Sequence, residues 1–281
     1  MSMSTSMSGS GSDDELAEVA FRDVPPDEGA RAGRRWWDAN AQDYLAEHGD
    51  FLGPADFVWC PEGLREADAA LLGDVAGRDV LEIGAGAAQC SRWLAARGAR
   101  VLSTDVSHAM LAAGRGYDEA AGTQVPVLVA DARALPLPPA SFDVVFTAFG
   151  ALPFVPDAAA VHAEAARVLR PGGRWVFAVT HPVRWAFPDD PVGLTAVRSY
   201  FDRRPYVELA ASGRVLYAEY HRTVGDHVAD VVGAGLVLDR IVEPPWPAGH
   251  DRTWGGWGPV RGALLPGTAI FVAHRPQDTA G

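Results

Sequence analysis

The spacing of apolar and polar positions changes near residue 76, and this change divides the chain into two parts. Beyond it, short apolar runs alternate with stretches in which apolar residues recur every three or four positions. Short runs of this kind indicate buried strands, and the longer spacing indicates helices. Their alternation predicts a parallel sheet covered by helices on both faces. The predicted strands are Asp79–Ile83, Arg100–Thr104, Val125–Ala130, Asp143–Ala148 and Arg174–Thr180, separated by helices at Gln89–Arg97, Ser107–Arg115 and Asp157–Leu169.

Two helices are predicted before this alternation begins. The first runs from Arg31 to about Gly49, with an apolar face formed by Trp36, Trp37, Ala41, Tyr44 and Leu45. The second runs from about Glu62 to Leu72, between a proline and a glycine that act as start and stop signals. Residues 1–30 are acidic and rich in Ser, Gly and Pro, which predicts a disordered tail.

The alternation stops after Thr180. A hairpin is predicted from Tyr206–Leu209 and Val215–His221, joined by a turn at Ser212-Gly213. Aromatic residues are frequent between positions 183 and 223, so this segment is predicted to form a cap over a ligand site. A helix near residues 225–232 and strands at Leu236–Val242 and Thr268–His274 are predicted to complete the core.

The composition and the net charge limit the classes of function that the chain could have. The 281 residues include 24 basic and 36 acidic side chains, a net charge of −12, which disfavours a nucleic-acid partner. No run approaches the roughly 18 apolar residues of a membrane span, and no apolar leader is visible at the amino terminus. With only two cysteines, Cys60 and Cys90, a cytoplasmic protein without a disulfide framework or a metal site is expected.

All the basic residues are arginine, since the sequence contains no lysine. A pyridoxal-phosphate enzyme needs a Schiff-base lysine, and a Walker-type phosphate loop also needs one. Both classes are therefore excluded.

The segment Val80–Gln89 carries the strongest chemical signal. A buried strand enters the turn Gly84-Ala85-Gly86, and a helix leaves it. Glycines permit a sharp bend and a close approach of backbone to a ligand, and helix amides attract anionic groups. A dinucleotide-binding fingerprint has Gly or Ala at its sixth position, which is occupied here by Gln89.

Three acids follow three successive predicted strands. Glu82 lies at the end of the first, Asp105 follows the second and Asp131 follows the third. Open α/β sheets bind ligands at the carboxyl ends of their strands. Asp105 could accept hydrogen bonds from ribose hydroxyls, although a helix cap is the alternative. Together the acids suit a ligand with a ribose, an adenine and a positive charge.

These motifs resemble the class I S-adenosylmethionine-dependent methyltransferases, in the small-molecule branch of UbiE-like (methyltransferase type 11) enzymes, including actinobacterial members. The glycine turn is similar to their first motif, with Ala88 in place of a third glycine. Asp131–Pro138 and Ser141–Val145 resemble the adenine-binding segment and the strand after it. Arg167–Gly173 matches the turn before the fifth strand.

The resemblance implies a Rossmann-like α/β fold with seven strands, the last of them antiparallel, and S-adenosyl-L-methionine as cofactor. It divides the chain into a tail (1–30), N-terminal helices (31–75), a cofactor-binding core (76–182), a substrate cap (183–223), the completion of the sheet (224–275) and a short tail (276–281). The residues assigned to the cofactor are Tyr44, Glu82, Gly84, Ala85, Gly86, Gln89, Asp105, Val106, Met110, Asp131, Ala132 and Thr147.

Two histidines are candidates for a general base. His181 follows the fifth predicted strand and so lies on the ligand edge, and His221 ends the predicted hairpin. Each could take a proton from the acceptor, and each could instead only hydrogen-bond its own turn or hairpin.

The sequence therefore predicts methyl transfer to a small apolar or aromatic acceptor, with the methylated atom (O, N or C) left open. A nicotinamide-dependent oxidoreductase and a non-catalytic cofactor-binding protein are the alternatives. No nucleic acid and no membrane span are expected, and a homodimer remains open.

Overall fold

Seven strands form the central sheet in a computed structural model that describes residues 15–149 and 151–277. The strands are β2 (Asp79–Ile83), β3 (Arg100–Asp105), β4 (Val127–Val129), β5 (Phe142–Thr147), β6 (Leu169–Thr180), β9 (Val237–Val242) and β10 (Thr268–His274). Their spatial order is β4-β3-β2-β5-β6-β10-β9. Strand β10 runs antiparallel to both of its neighbours, and β2 to β6 are parallel. This confirms the Rossmann-like sheet with its last strand antiparallel.

Helices cover both faces of the sheet. They are α1 (Pro26–Leu52), α2 (Glu66–Ala69), α3 (Gln89–Ala95), α4 (His108–Ala121), α5 (Ala158–Val168), α6 (Val224–Gly233) and α7 (Pro259–Gly262). Buried side chains of α5 and α6 pack on one face around Trp175 and Phe177. On the other face, α3 and residues 57–75 pack around Phe146. The long apolar runs of β5 and β6 reflect this burial from both sides.

A second, three-stranded antiparallel sheet lies beside the first. It contains β1 (Leu16–Phe21), β7 (Tyr206–Ala210) and β8 (Val215–Glu219), in the order β1-β7-β8. The predicted hairpin is thus present, but it gains a strand from the amino-terminal segment. Helix α1 packs its buried Ala32 against the apolar side of this sheet.

The prediction of a disordered tail through residue 30 is wrong for residues 16–30. Residues 16–21 form β1, because their backbone pairs with β7, and α1 already begins at Pro26. A proline at the first helical position has no amide hydrogen to leave unpaired there. Residues 1–14 lie outside the described part of the chain.

The helix predicted from Glu62 to Leu72 is also shorter in the structure. Only Glu66–Ala69 is helical, and the chain leaves the helix through Ala70 in a left-handed conformation (φ +46°). The carboxylate of Glu66 accepts hydrogen bonds from the backbone N–H groups of Leu71 and Leu72, which end the helix early. Within the described ranges, the helices are too short or too polar to cross a bilayer.

Candidate active site

A cleft opens at the carboxyl ends of the parallel strands. Ile83 lies opposite Thr104, and Thr104 lies opposite Leu128, so β2, β3 and β4 end at the same level. The cleft contains about 1150 Å³ of space, part of which is open to solvent. Eleven of the twelve residues predicted for the cofactor line it: Tyr44, Glu82, Gly84, Ala85, Gly86, Gln89, Asp105, Val106, Met110, Asp131 and Ala132.

The glycine turn forms the floor of this cleft. Gly84 and Gly86 both have positive φ angles, +67° and +55°, which favour glycine. A Cβ atom at Gly84 would lie 3.0 Å from that of Ala151, and one at Gly86 would lie 3.1 Å from Cε of Met110. Side chains at these positions would therefore crowd Ala151 and Met110, which line the cleft. Ala88 adopts the same left-handed region (φ +59°), so a methyl group is tolerated where the resembling motif has glycine.

Asp105 holds the turn and faces the cleft. Its Oδ2 accepts a hydrogen bond from the N–H of Gly86 at 2.8 Å, and its Oδ1 accepts one from the N–H of Ser107 at 2.8 Å. Burial raises the pKa of this carboxyl, while the two amides oppose that effect. Each carboxylate oxygen has a further lone pair to offer. The donor set therefore fits a ligand with two neighbouring hydroxyls, such as a ribose.

Glu82 supplies a second carboxyl, at the end of β2. It is almost fully buried, and its Oε2 accepts hydrogen bonds from the N–H and the hydroxyl of Ser91. Burial raises the pKa of Glu82 to about 7. A positive group bound in the cleft would favour the ionised form, since opposite charges within a few ångströms stabilise each other. This carboxyl therefore fits a cationic ligand, as expected from the sequence.

Asp131 lies at the opposite wall in an ion pair. Nε and Nη2 of Arg133 donate to its carboxylate, the shortest contact being 2.7 Å, and this hydrogen bonding holds the pKa of Asp131 below its usual range. Asp131 thus stays ionised and keeps acceptor capacity toward the cleft. Arg133 itself lines the cleft, so this wall offers both an acceptor and a planar cation. The sequence interpretation named Asp131 and Ala132 but not Arg133.

Thr147 does not line the cleft, contrary to the prediction. Its side chain is fully buried at the end of β5, and Ala148 and Phe149 form the wall instead. Successive side chains of a strand point to opposite faces, so a strand-end residue that enters the core cannot also face the ligand edge.

His181 does not line the cleft, and both of its ring nitrogens are occupied. Nδ1 accepts a hydrogen bond from the N–H of Val183 at 3.1 Å, and Nε2 lies 2.8 Å from Oε1 of Glu243. Burial lowers the pKa of this imidazole. These hydrogen bonds correspond to the alternative in which His181 only organises its own turn. They do not support its predicted role as a general base.

His221 does not line the cleft either. Its Nε2 lies 2.7 Å from the carbonyl oxygen of Tyr200, and the ring is almost fully buried. Burial lowers its pKa as well. The histidine therefore ties the hairpin to the preceding segment, and a catalytic role is not supported.

A second, aromatic pocket adjoins this cleft, and the two share Phe149 as a wall. It contains about 460 Å³ of space, part of which is open to solvent, and it lies where β6 ends and β10 begins. Its lining residues are Trp59, Pro61, Phe149, Ala178, Val179, Thr180, Arg184, Trp254, Gly256, Trp257, Gly267 and Thr268. Phe149 has a φ of +59°, a strained conformation for a bulky residue that costs roughly 1 kcal/mol or more. Such strain is typical of residues held in place at functional sites.

An aromatic stack supports the wall between the two pockets. Trp254 lies 5.2 Å from Phe149 and stacks on His48 of α1 at a centroid distance of 3.8 Å. His48 in turn contacts Tyr44, which lines the cofactor cleft. Both ring nitrogens of His48 are buried without a hydrogen-bond partner in the described structure. Helix α1 therefore contacts both pockets through this stack.

Replacing His48 with phenylalanine should make the stability of the protein less sensitive to acid. Burial lowers the pKa of His48 from 6.5 to about 4, with a contribution from Arg252. Because the folded-state pKa is depressed, the neutral ring's contribution is present above pH 6.5 and is lost as pH falls toward 4. At pH 5 this loss amounts to about 2 kcal/mol.

Urea unfolding at pH 7.5 and pH 5 provides the measurement. The free energy of unfolding of His48→Phe, relative to the parent protein, should rise by about 2 kcal/mol between the two conditions. Packing effects of the larger phenylalanine ring are the same at both pH values, so they cancel in this comparison. An equal difference at the two pH values would contradict the buried neutral histidine.

Several residues of the site were missed in the sequence. Phe149 directly follows a predicted strand, but nothing in the sequence reveals its left-handed backbone. His48 falls on the predicted helix between polar neighbours, and Arg184 follows the His181 turn within an apparently irregular segment. The tryptophans near residues 246–257 were the one available signal for the aromatic pocket. The predicted cap, residues 183–223, contributes only Arg184 to its lining.

Known proteins resemble this chain in sequence and in fold. A methyltransferase-domain family model matches residues 81–177. The chain is 34% identical over 216 residues to the ubiquinone/menaquinone biosynthesis C-methyltransferase UbiE of Acidiphilium cryptum, covering 72% of this chain and 83% of that protein. It is 34% identical over 219 residues to a demethylmenaquinone methyltransferase of Mycolicibacterium paratuberculosis, covering 75% and 82%. A solved S-adenosylmethionine-dependent methyltransferase from Mesorhizobium loti is similar with a TM-score of 0.60 and 28% identity, over 77% of this chain and all of that one.

Proposed function

Because this chain belongs to the UbiE-like class I S-adenosylmethionine-dependent methyltransferases, we propose that it methylates a ring carbon of a quinol. Methyl transfer from this cofactor follows from the family, and the nicotinamide alternative has no support. The quinol acceptor is the finer proposal. It is supported by the names of the two relatives and, in this chain, by the aromatic pocket that shares Phe149 with the cofactor cleft.

The cleft residues would hold the cofactor by its polar groups. Asp105 would accept from the ribose hydroxyls, and Asp131 from the adenine amine. Glu82 and the glycine turn would face the charged methionine portion. When bound, S-adenosylmethionine supplies an electrophilic methyl group on a positively charged sulfur. The protein's task is therefore to place an acceptor atom in line with that methyl group.

The aromatic pocket supplies this placement. Flat indole walls favour a flat ring over a flexible chain, because they contact it on both faces. Trp37 and Tyr44 of α1 cover the cofactor cleft from the side, which limits access of water to the reacting groups. A quinol ring held against Trp257, beside the Phe149–Trp254 pair, would present its edge toward the cleft.

The bond changes of this proposal balance without a redox partner. The ring carbon next to a quinol hydroxyl forms a bond to the methyl carbon as the carbon–sulfur bond breaks. The ring carbon then loses its proton to solvent, and the ring regains its aromaticity. The positive charge of the sulfonium is thereby exchanged for a released proton.

Transfer of a labelled methyl group to reduced 1,4-naphthoquinone tests the proposal. The purified protein should convert this quinol to its ring-methylated product, and NMR of the product should place the methyl group on carbon. Asp105→Asn serves as the control, since it should lower turnover through loss of cofactor binding. A methyl group found on oxygen, or no transfer by protein that binds S-adenosylhomocysteine, would refute the quinol carbon as the acceptor.

A further inference from the structure

We propose that Arg184 binds the acceptor as an oxyanion, so that the aromatic pocket selects a phenolate-like ring over a neutral one. This inference rests on the proposed function and specifies how that pocket recognises its ligand. It assigns activation of the acceptor to Arg184, where the sequence interpretation named a histidine as general base.

Arg184 is a buried cation with a donor left free. It lies in the 3₁₀ turn Pro182–Ala186 after β6, and 7% of its surface is exposed. One terminal nitrogen donates to Oδ1 of Asp189 at 2.9 Å, which fixes the orientation of the guanidinium. Its Nε–H is buried without an acceptor in the described structure. A buried donor of this kind costs free energy unless a ligand satisfies it.

Trp257 adds a second free donor to the same pocket. Its indole Nε1–H is buried without an acceptor in the ranges that the structure describes. The hydroxyl of Thr268 is committed to Glu62, at 2.8 Å. A guanidinium N–H and an indole N–H can only donate, so they call for a ligand oxygen that accepts.

The surrounding charges favour an anionic oxygen. Arg261 is fully buried and donates to the carbonyl oxygens of Pro188, Asp190, Gly193 and Gly256, which holds a second cation near Arg184. Asp189 and Asp190 partly offset these cations, and burial raises the pKa of Glu62, which disfavours its charge. A donor pair inside aromatic walls therefore binds a ring oxygen most strongly when that oxygen is charged.

Binding of the acceptor as an oxyanion also removes the need for a general base. Among the described residues that line the aromatic pocket, none is a histidine, carboxylate or cysteine that could accept a proton. A phenol can still become a strong nucleophile if its ionised form is preferentially bound. Arg184 would supply that preference, since an opposite charge in a poorly solvated pocket favours ionisation.

Binding of 4-nitrophenol tests the inference directly, because its phenolate absorbs visible light. The protein is saturated with S-adenosylhomocysteine, and the probe is titrated across pH. Bound probe should ionise at least about one pH unit lower than free probe. Arg184→Gln should abolish this shift and weaken phenolate binding at least about tenfold.

Three controls separate recognition from folding. Nitrobenzene has the same shape without an ionisable oxygen, and its affinity should change less than about threefold in Arg184→Gln. Arg203→Gln removes an exposed arginine paired with Asp226 and should leave phenolate binding unchanged. Trp257→Phe keeps the ring and removes one donor, so it should weaken phenolate binding about threefold even if Arg184→Gln does not fold.

Equal phenolate affinity in the parent protein, Arg184→Gln and Trp257→Phe would overturn the inference, as would failure of the probe to bind. Because the assay measures probe binding with a spent cofactor, its outcome is independent of methyl transfer to the quinol. Loss of quinol turnover with retained phenolate recognition would refute only the proposed acceptor.

Discussion

Replacing Asp105 with alanine is expected to weaken the binding of S-adenosylhomocysteine at least about 100-fold. The carboxylate accepts from the amides of Gly86 and Ser107 and would also accept from the ribose hydroxyls. Alanine removes the charged acceptor from the two amides and from the ribose hydroxyls alike. It leaves two amides without partners on the cleft floor, and the glycine turn loses its anchor to β3.

The fold should survive this change. Burial raises the pKa of Asp105, so its charge is a cost to folding that alanine removes. We expect the Tm to fall by less than about 5 °C while calorimetry shows the affinity loss. Asp105→Asn retains one acceptor oxygen, so its affinity should lie between those of the parent protein and Asp105→Ala. Unchanged affinity in Asp105→Ala would refute the ribose assignment.

Replacing Gly114 with alanine should destabilise the protein by about 2 kcal/mol and weaken cofactor binding. This glycine is the contact point between α4 and the glycine turn, because an added Cβ would lie 2.6 Å from the carbonyl oxygen of Ala87. Arg92 donates to both the Ala87 and the Gly114 carbonyl oxygens, which holds the two segments together. A methyl group must therefore displace the backbone that forms the cleft floor.

Gly116 on the same helix provides a matched control. A Cβ atom there would meet no atom within 4 Å. Gly116→Ala should raise the free energy of unfolding by about 0.5–1 kcal/mol, because alanine is the better helix former, and leave cofactor affinity intact. Equal effects of the two substitutions on urea unfolding would show that close packing at Gly114 is not what the turn requires.

The central sheet could be predicted because its strands are buried on both faces. Such strands appear as plain apolar runs, and β2 and β10 were predicted with their observed ends. Strand β1 escaped prediction, since Leu16–Phe21 has exposed side chains and owes its conformation to backbone pairing with β7. Long-range pairing of that kind leaves little trace in local sequence.

The residues that line the cleft were predictable for a related reason. Strand ends and tight glycine turns fix their side chains locally, so Glu82, Asp105 and Asp131 all reach the cleft. The aromatic pocket depends on segments far apart in sequence. Only in the folded chain do its lining residues meet, among them Trp59, Phe149, Arg184 and Trp257. The structural role of His181 could not be seen in the sequence, because its hydrogen-bond partner Glu243 is 62 positions away.

Calorimetric titration with S-adenosylhomocysteine tests the central claim most directly, with NADH titrated in parallel. The cleft geometry predicts one binding site per chain with a Kd in the micromolar range for the first ligand, and no heat of binding for NADH. Binding of NADH instead, or no binding of S-adenosylhomocysteine to the folded protein, would contradict the assignment of the glycine turn and its three acids to this cofactor.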